Sequence, residues 1–255
     1  MKAFLAFTKK ELVESWRTYR LAVMLATFAI FGIISPLLAK LMPEILKGGM
    51  GDTGIVITVP DPTALDAWTQ FFGNIGQMGM LVLIIAFCGI MASELSRGTL
   101  VNLLTKGLPR HTVVLSKFLV ATIVWTASYL VSLAICYAYT AYFWPGSQLH
   151  HAALAFGGLW LFGQLVIALL LFGGTLFKNI YGALLTCGGL ILAANLLAIV
   201  PETQKYNPLS LVGNTLSLLS AQSTPTDFAP AFALAVALIV AFVLATIAIF
   251  NKKQI

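Results

Sequence analysis

The sequence predicts an all-α polytopic membrane protein with six transmembrane helices and both termini on the cytoplasmic side. Three observations predict it. Of 255 residues, 59% are hydrophobic and 9% charged, whereas an ordinary soluble domain is about one-quarter charged. Six apolar runs each supply the length of about 20 helical residues that a hydrocarbon core requires. The basic residues gather at alternating ends of those runs.

The predicted spans are 21–41, 72–92, 118–144, 151–177, 181–200 and 228–250. Inside them Asp, Glu, Lys, Arg and His are absent apart from edge positions such as Lys40 and His151. A membrane β-barrel would alternate apolar and polar residues over strands of about ten residues, so these runs read as helices. With loops included they use the whole chain, which predicts a single transmembrane domain over 1–255. The first run is too long for the apolar core of a signal peptide and lacks a small-residue cleavage site, so no cleaved leader is expected.

Orientation follows from Lys and Arg. With the N-terminus inside, Lys2, Lys9, Lys10, Arg17, Arg20, Arg97, Lys106, Arg110, Lys117, Lys178, Lys252 and Lys253 are cytoplasmic, and Lys40, Lys47 and Lys205 are external. The positive-inside rule selects this arrangement over its inverse. The same distribution argues against a nucleic-acid surface, despite a net charge of +6, because the cations form no single patch.

The segments between spans carry their own patterns. Before span one, Phe4, Leu5, Leu12, Trp16 and Tyr19 share one arc of a helical wheel, and Lys10, Glu11, Glu14 and Arg17 lie opposite. Phe7 breaks the pattern. This predicts an amphipathic helix lying in the membrane interface. The external segment 42–71 is rich in Gly and Pro, with a possible short strand at Ile55–Val59. In the cytoplasmic segment 93–117, Leu100, Leu103 and Leu104 have helical spacing, Gly107 ends the turn and Pro109 stops it, giving a short helix standing off the membrane. In 201–230, Leu209, Val212, Leu216 and Leu219 recur at i, i+3, i+7 and i+10, predicting a short external helix between spans five and six.

Catalytic equipment is missing from the spans. They hold no facing carboxylates and no Ser with a buried base. His111, His150 and His151 lie outside or at the edge, without further ligands for a metal. Cys88, Cys136 and Cys187 are isolated and read as packing residues. No intramembrane acid supports a proton relay. Gly73, Gly76 and Gly79 recur every third residue, and Gly157, Gly158, Gly163, Gly173, Gly174, Gly182, Gly188 and Gly189 stud spans four and five, as close helix packing requires. Gln164 and Asn195 are expected to hydrogen-bond between helices. Trp125, Tyr129, Tyr137 and Trp160 are expected as core or interfacial aromatics. No Gly-rich loop ending in Lys-Ser or Lys-Thr is present, so no nucleotide site is expected on this chain.

Against this background the stretch Glu94-Leu95-Ser96-Arg97-Gly98-Thr99, followed by Leu103-Leu104 and then Arg110 and Lys117, resembles the pattern of ABC-2 type transporter permeases. Gly107 stands where the family usually has Pro, with Pro109 two residues on. Phe31-Gly32-Ile33-Ile34-Ser35-Pro36, Pro43-Glu44-Ile45-Leu46, Pro60-Asp61-Pro62-Thr63 and Asn207-Pro208-Leu209 are similar to segments of its six-span bacterial subgroup.

The resemblance implies a permease subunit in a bacterial cytoplasmic membrane, pairing with a second permease copy and two separate ATPase subunits that carry ATP and Mg²⁺. The N-terminal helix and a coupling helix around Leu100, Leu103 and Leu104 would meet the ATPase. Glu94, Arg97, Gly98, Thr99, Arg110 and Lys117 would shape or brace that contact. The spans suit export of an amphipathic or hydrophobic substrate such as a peptide, antibiotic or lipid-like molecule. An ion-coupled carrier or channel without an ATPase is the alternative.

Overall fold

The computed structural model describes residues 2–49, 61–105, 107–147 and 149–253. Among these every regular element is helical. In chain order they are α1 (Lys2–Arg17), α2 (Arg20–Gly49), α3 (Ala64–Asn74), a π turn (Ile75–Gly79), α4 (Met80–Phe87), α5 (Ala92–Arg97), α6 (Val101–Thr105), α7 (Arg110–Phe143), α8 (Ala152–Phe177) and α9 (Ile180–Leu197). A 3-10 turn (Pro201–Tyr206), α10 (Ser210–Gly213), α11 (Thr215–Leu219) and α12 (Pro225–Lys252) complete the series.

Among the described residues six stretches are long and apolar enough to cross a membrane: Arg20–Ile45, Ala64–Arg97, Arg110–Phe143, Ala152–Phe177, Ile180–Leu197 and Pro225–Lys252. All six predicted runs are therefore present, but the first three and the sixth are longer than expected. α2 continues through Pro36 and Pro43 to Gly49. The second span starts at Ala64, where the Asp66 carboxylate accepts from both the Thr63 backbone N–H and the Thr63 hydroxyl at 2.8 Å. This capping contact satisfies groups a helix start leaves free. The third span starts at Arg110 behind Pro109. Lys117 consequently lies two turns inside a spanning helix, which corrects the expectation that charge stays outside the spans. Residues Ile55–Val59, the possible strand, lie outside the described residues.

α8 is the central helix. In the most apolar part of each span, 78% of α8 is buried in the protein, against 17% of α9 and 11% of α12. α9 and α12 each pack on α8, and α2 packs along α7. Leu185, Leu192 and Leu244 point outward, as expected where the surrounding solvent is lipid.

Glycines set the closest approaches. A Cβ on Gly32 would lie 2.6 Å from the Ser132 carbonyl oxygen, so α2 and α7 approach backbone to backbone there. A Cβ on Gly163 would lie 2.4 Å from Trp125, and one on Gly173 2.7 Å from Thr186. A Cβ on Gly76, within the π turn, would lie 2.7 Å from Val212 Cγ1, whereas Gly73, Gly157, Gly188 and Gly189 face open space. The glycine-rich faces thus serve close packing within the chain at some positions only.

The expected external helix is two short helices, α10 and α11, separated at Asn214. Its inward residues are Leu211, Thr215, Leu218 and Leu219; of the predicted stripe Leu219 is buried, while Leu209, Val212 and Leu216 are half-buried one step away from the inward face. The Asn207 side chain holds the segment's start by donating to the Ala194 carbonyl at 2.7 Å.

Polar and aromatic residues follow the expectations in part. The Thr122 hydroxyl donates to Gln164 Oε1 at 2.7 Å, joining α7 to α8. Asn195 instead donates within its own helix, to the Ile191 carbonyl. α9 faces outward there, so no neighbour offers a partner. Trp125 and Tyr129 are buried, donating to the Trp160 and Phe156 carbonyls at 3.0 and 2.9 Å. Trp160 donates to the Thr126 hydroxyl at 2.9 Å. Tyr137 faces outward. The three cysteines are free thiols.

Candidate functional site

α1 docks on α7 through a face the wheel did not single out. Phe7, Glu11 and Ser15, spaced by one turn, are buried. Leu5, Leu12, Trp16 and Tyr19 are exposed and Phe4 is half-buried. The predicted apolar arc therefore points away from the bundle, as a helix half-sunk in lipid would present it. The face opposite, assigned to solvent, is the one that touches protein. Phe7 is its anchor rather than a break in the pattern.

At this contact three carboxylates meet two ammonium groups. Lys117 is 1% exposed. Its Nζ lies 2.9 Å from Glu11 Oε2 and 2.7 Å from Glu94 Oε2. Lys10 Nζ lies 2.9 Å from Glu11 Oε1, 2.6 Å from Glu14 Oε2 and 3.0 Å from Glu94 Oε1. The Thr8 hydroxyl donates to Ser116 Oγ at 3.0 Å beside them. The junction ties α1 to α5 and to α7.

Burial of this kind demands mutual neutralisation. A lone buried ammonium is strongly unfavourable, but one held by two carboxylates is tolerated. Burial alone would lower the Lys10 pKa, yet hydrogen bonds to Glu14, Glu11 and Glu94 outweigh it and hold the group above its usual range. Burial would raise Glu14, and its contact with Lys10 outweighs that and lowers it. One ligand oxygen each from Glu11, Glu14 and Glu94 lies within 4.8 Å of the others, a spacing a metal would accept. Here the two ammonium groups already fill the cation positions between them.

The loop residues divide into distinct roles. Gly98 adopts φ +66°, the left-handed region, and ends α5. The Thr99 N–H then reaches back to the Glu94 carbonyl at 3.2 Å. A glycine suits this position because a Cβ is disfavoured there. Leu100 is fully buried, so it anchors the loop rather than facing outward. Leu104 is half-buried and packs on the rim of the core. Leu103 falls within α6. Arg97 is exposed and forms no ion pair among the described residues. Gly107, φ +87°, turns the chain towards α7.

Arg110 does different work from its loop neighbours. Its Nη1 donates to the carbonyls of Phe250, Asn251 and Lys253 at 2.5, 3.0 and 2.6 Å. It caps the end of α12, where the helix leaves carbonyls unpaired and a partial negative charge. Lys253 in turn donates to the carbonyls of Thr175 and Leu176 at the end of α8.

Sequence reasoning selected Glu94 and Lys117 but missed Lys10, Glu11, Glu14 and Phe7. The available signal was Lys10–Glu14 spacing, i to i+4, together with an aromatic one turn before Glu11.

A helical bundle with six apolar spans, an amphipathic leading helix and a charged loop junction at one end defines a multi-pass membrane protein. A family model for the ABC-2 type transporter matches residues 2–200, and the chain belongs to that family. It is 24% identical over 214 residues to the Bacillus subtilis (strain 168) "Uncharacterized transmembrane protein YxlG", covering 83% of each chain. The chain is thus a transporter's membrane component, of the permease type found in bacterial membranes.

Proposed function

We propose that the chain is the permease subunit of an ATP-driven exporter whose ATPase is a separate protein. The observation that carries the reading is the five-residue junction at Lys10, Glu11, Glu14, Glu94 and Lys117. It makes α1, the α5–α6 loop and the start of the third span one mechanical unit. A partner pressing on α1 and α6 would move α7 with them, instead of bending the loop alone. Such transmission needs a rigid element shared by two packings of the bundle.

In this reading two copies of the chain and two ATPase copies form the transporter, with α1 and α6 at the cytoplasmic side. ATP and Mg²⁺ belong to the partner. Arg97 and Thr99, exposed beside the junction, are assigned to the ATPase contact. Gly98 fixes the turn that presents them.

The substrate class is proposed as hydrophobic or amphipathic. A cleft of about 390 Å³ lies between α9 and α12 against α8, lined by side chains such as Phe162, Leu169, Ile191, Leu238 and Phe242. Such a surface accepts an acyl or aromatic group and offers nothing to a multiply charged solute.

The test is co-expression with an ATPase encoded beside the gene, followed by co-purification and ATPase turnover in nanodiscs. Wild-type protein is expected to retain the ATPase. Arg97→Glu and Thr99→Glu, both at exposed positions, are expected to lose it while the protein stays folded. Retention by both variants, or transport that continues without ATP and stops when an ion gradient collapses, sinks the proposal in favour of an ion-coupled carrier.

A further inference from the structure

At the turn from α1 into α2 the chain forms an open cavity of about 500 Å³ that the junction leaves unused. Thr18, Tyr19, Arg20 and Val23 form one side, Ile85, Ala86 and Ser93 of the second span another, and Ile180 of α9 closes it. Val23 is 52% exposed and Ile85 72%, so the apolar wall runs continuously onto the outward face of the bundle.

Among the described residues Arg20 is the only charged one lining this cavity. At this end Lys10 and Lys117 are held by carboxylates and Arg110 and Lys253 by carbonyls, while Arg17 and Arg97 are exposed and lie outside the cavity. The Arg20 guanidinium makes no ion pair or hydrogen bond among the described residues. Glu14, the acid that feels its charge, is already 2.6 Å from Lys10.

We infer that this cavity binds an anionic phospholipid, with its phosphate on Arg20 and an acyl chain along Val23, Ile85 and Ile180. A guanidinium matches a phosphate in charge and in fork geometry. A soluble anion would use Arg20 and leave the apolar wall bare, while an apolar molecule would leave Arg20 unanswered. An anionic amphipath satisfies both. Its depth also fits, because Arg20 is the first residue of the first span, at the level of the headgroups.

The position gives the lipid leverage. One side of the cavity is the turn at Tyr19, which holds φ +59°. Another is Ser93, next to Glu94 of the junction. A lipid seated there touches both the α1–α2 turn and the start of α5. The inference stands independently of the transport proposal.

The experiment is native mass spectrometry of the purified full chain, loaded with equal amounts of phosphatidylglycerol and phosphatidylcholine. Wild-type protein is expected to retain phosphatidylglycerol about fivefold over phosphatidylcholine, the factor one basic residue contributes at an anionic surface. Arg20→Gln should abolish the preference and Arg20→Lys should keep most of it. Arg17→Gln, at an exposed arginine outside the cavity, should leave it unchanged. Ala86→Phe, which fills the apolar part and alters no charge, should lower phosphatidylglycerol retention independently of Arg20. Equal retention of the two lipids by wild type, or equal loss in the Arg17 and Arg20 variants, overturns the inference. So does full displacement of the lipid by millimolar inorganic phosphate together with no effect of Ala86→Phe.

Discussion

Glu94 Oε2 and Lys117 Nζ stand 2.7 Å apart, which fastens the end of the second span to the interior of the third. The two residues bracket the entire loop between those spans. The loop is therefore pinned at both ends by one ion pair, and Glu11 of α1 shares the same ammonium at 2.9 Å.

Lys117→Met should destabilise the protein by about 3 kcal/mol, because it strands Glu11 and Glu94 without their buried cation. Lys10→Met should lose no more than about 1 kcal/mol, since the Lys10 side chain is 43% exposed and water screens its pairs. Thermal unfolding in one detergent, with both variants side by side, checks this. Equal shifts would remove Lys117 from the centre of the junction.

Gly98→Val should weaken coupling more than Gly98→Asn. No side chain crowds the site, the nearest atom to an added Cβ being Val101 Cγ2 at 3.9 Å. The penalty is thus a backbone one, roughly 1–2 kcal/mol for a left-handed residue and least for Asn. Substrate-stimulated ATPase turnover of the reconstituted complex would report the order. A Val variant as active as wild type contradicts it.

Gly163→Ala should destabilise by about 1–3 kcal/mol through overpacking. Its Cβ would meet Trp125 at 2.4 Å, and that indole is fixed by its bond to the Trp160 carbonyl. Gly157→Ala and Gly188→Ala, with open space around them, should be neutral or slightly stabilising. The denaturation midpoints of the three variants distinguish local packing from a general intolerance of substitution.

Arg110→Ala should free the end of α12, removing charge-assisted hydrogen bonds worth about 1.5–3 kcal/mol each in favourable cases. Hydrogen exchange at residues 248–253 is expected to speed up strongly, with α9 unaffected. Arg110→Lys should recover part of the protection.

The junction should resist mild changes of pH and fail at the extremes. Glu14 is lowered from 4.5, so its stabilisation is complete above that value and is lost as pH falls through the folded-state pKa. Lys10 is raised from 10.5, so its stabilisation is complete below that value and is lost as pH rises through the folded-state pKa. Protection factors of the α1 amides, which remove the steep intrinsic pH dependence of exchange, should accordingly stay flat between about pH 5 and 10 by these two groups, and fall in acid. Glu14→Gln should blunt the acid limb; an unchanged limb assigns it to another group.

The six spans were legible because lipid imposes a simple rule on length and polarity. Their ends were harder to read. α7 begins eight residues before Phe118, and nothing apolar marks that start. Pro109 supplies the boundary and Arg110 finds its reward at the far end of the chain, on α12. α1 shows the complementary limit. Its apolar arc was visible in the periodicity, but a wheel cannot tell lipid from protein as the apolar phase. Glu11 looked like part of a solvated face because Lys117 becomes its neighbour only after the third span packs, and the Lys10–Glu14 pair within α1 reads as an ordinary surface pair until Glu94 joins it. Gly98 was legible in kind, since a glycine between a helix and Thr99 signals a left-handed turn.

The burial of Lys117 also bears on how the chain enters the membrane during synthesis. A lysine inside a hydrophobic segment raises the free energy of inserting it. Ribosomes deliver residues in order, so Glu11 and Glu94 have emerged before Lys117 arrives. The third span can partition into lipid with its counter-charges already waiting. A circularly permuted gene that delivers α7 ahead of α1 should insert that span poorly, although the finished protein would hold the same contacts.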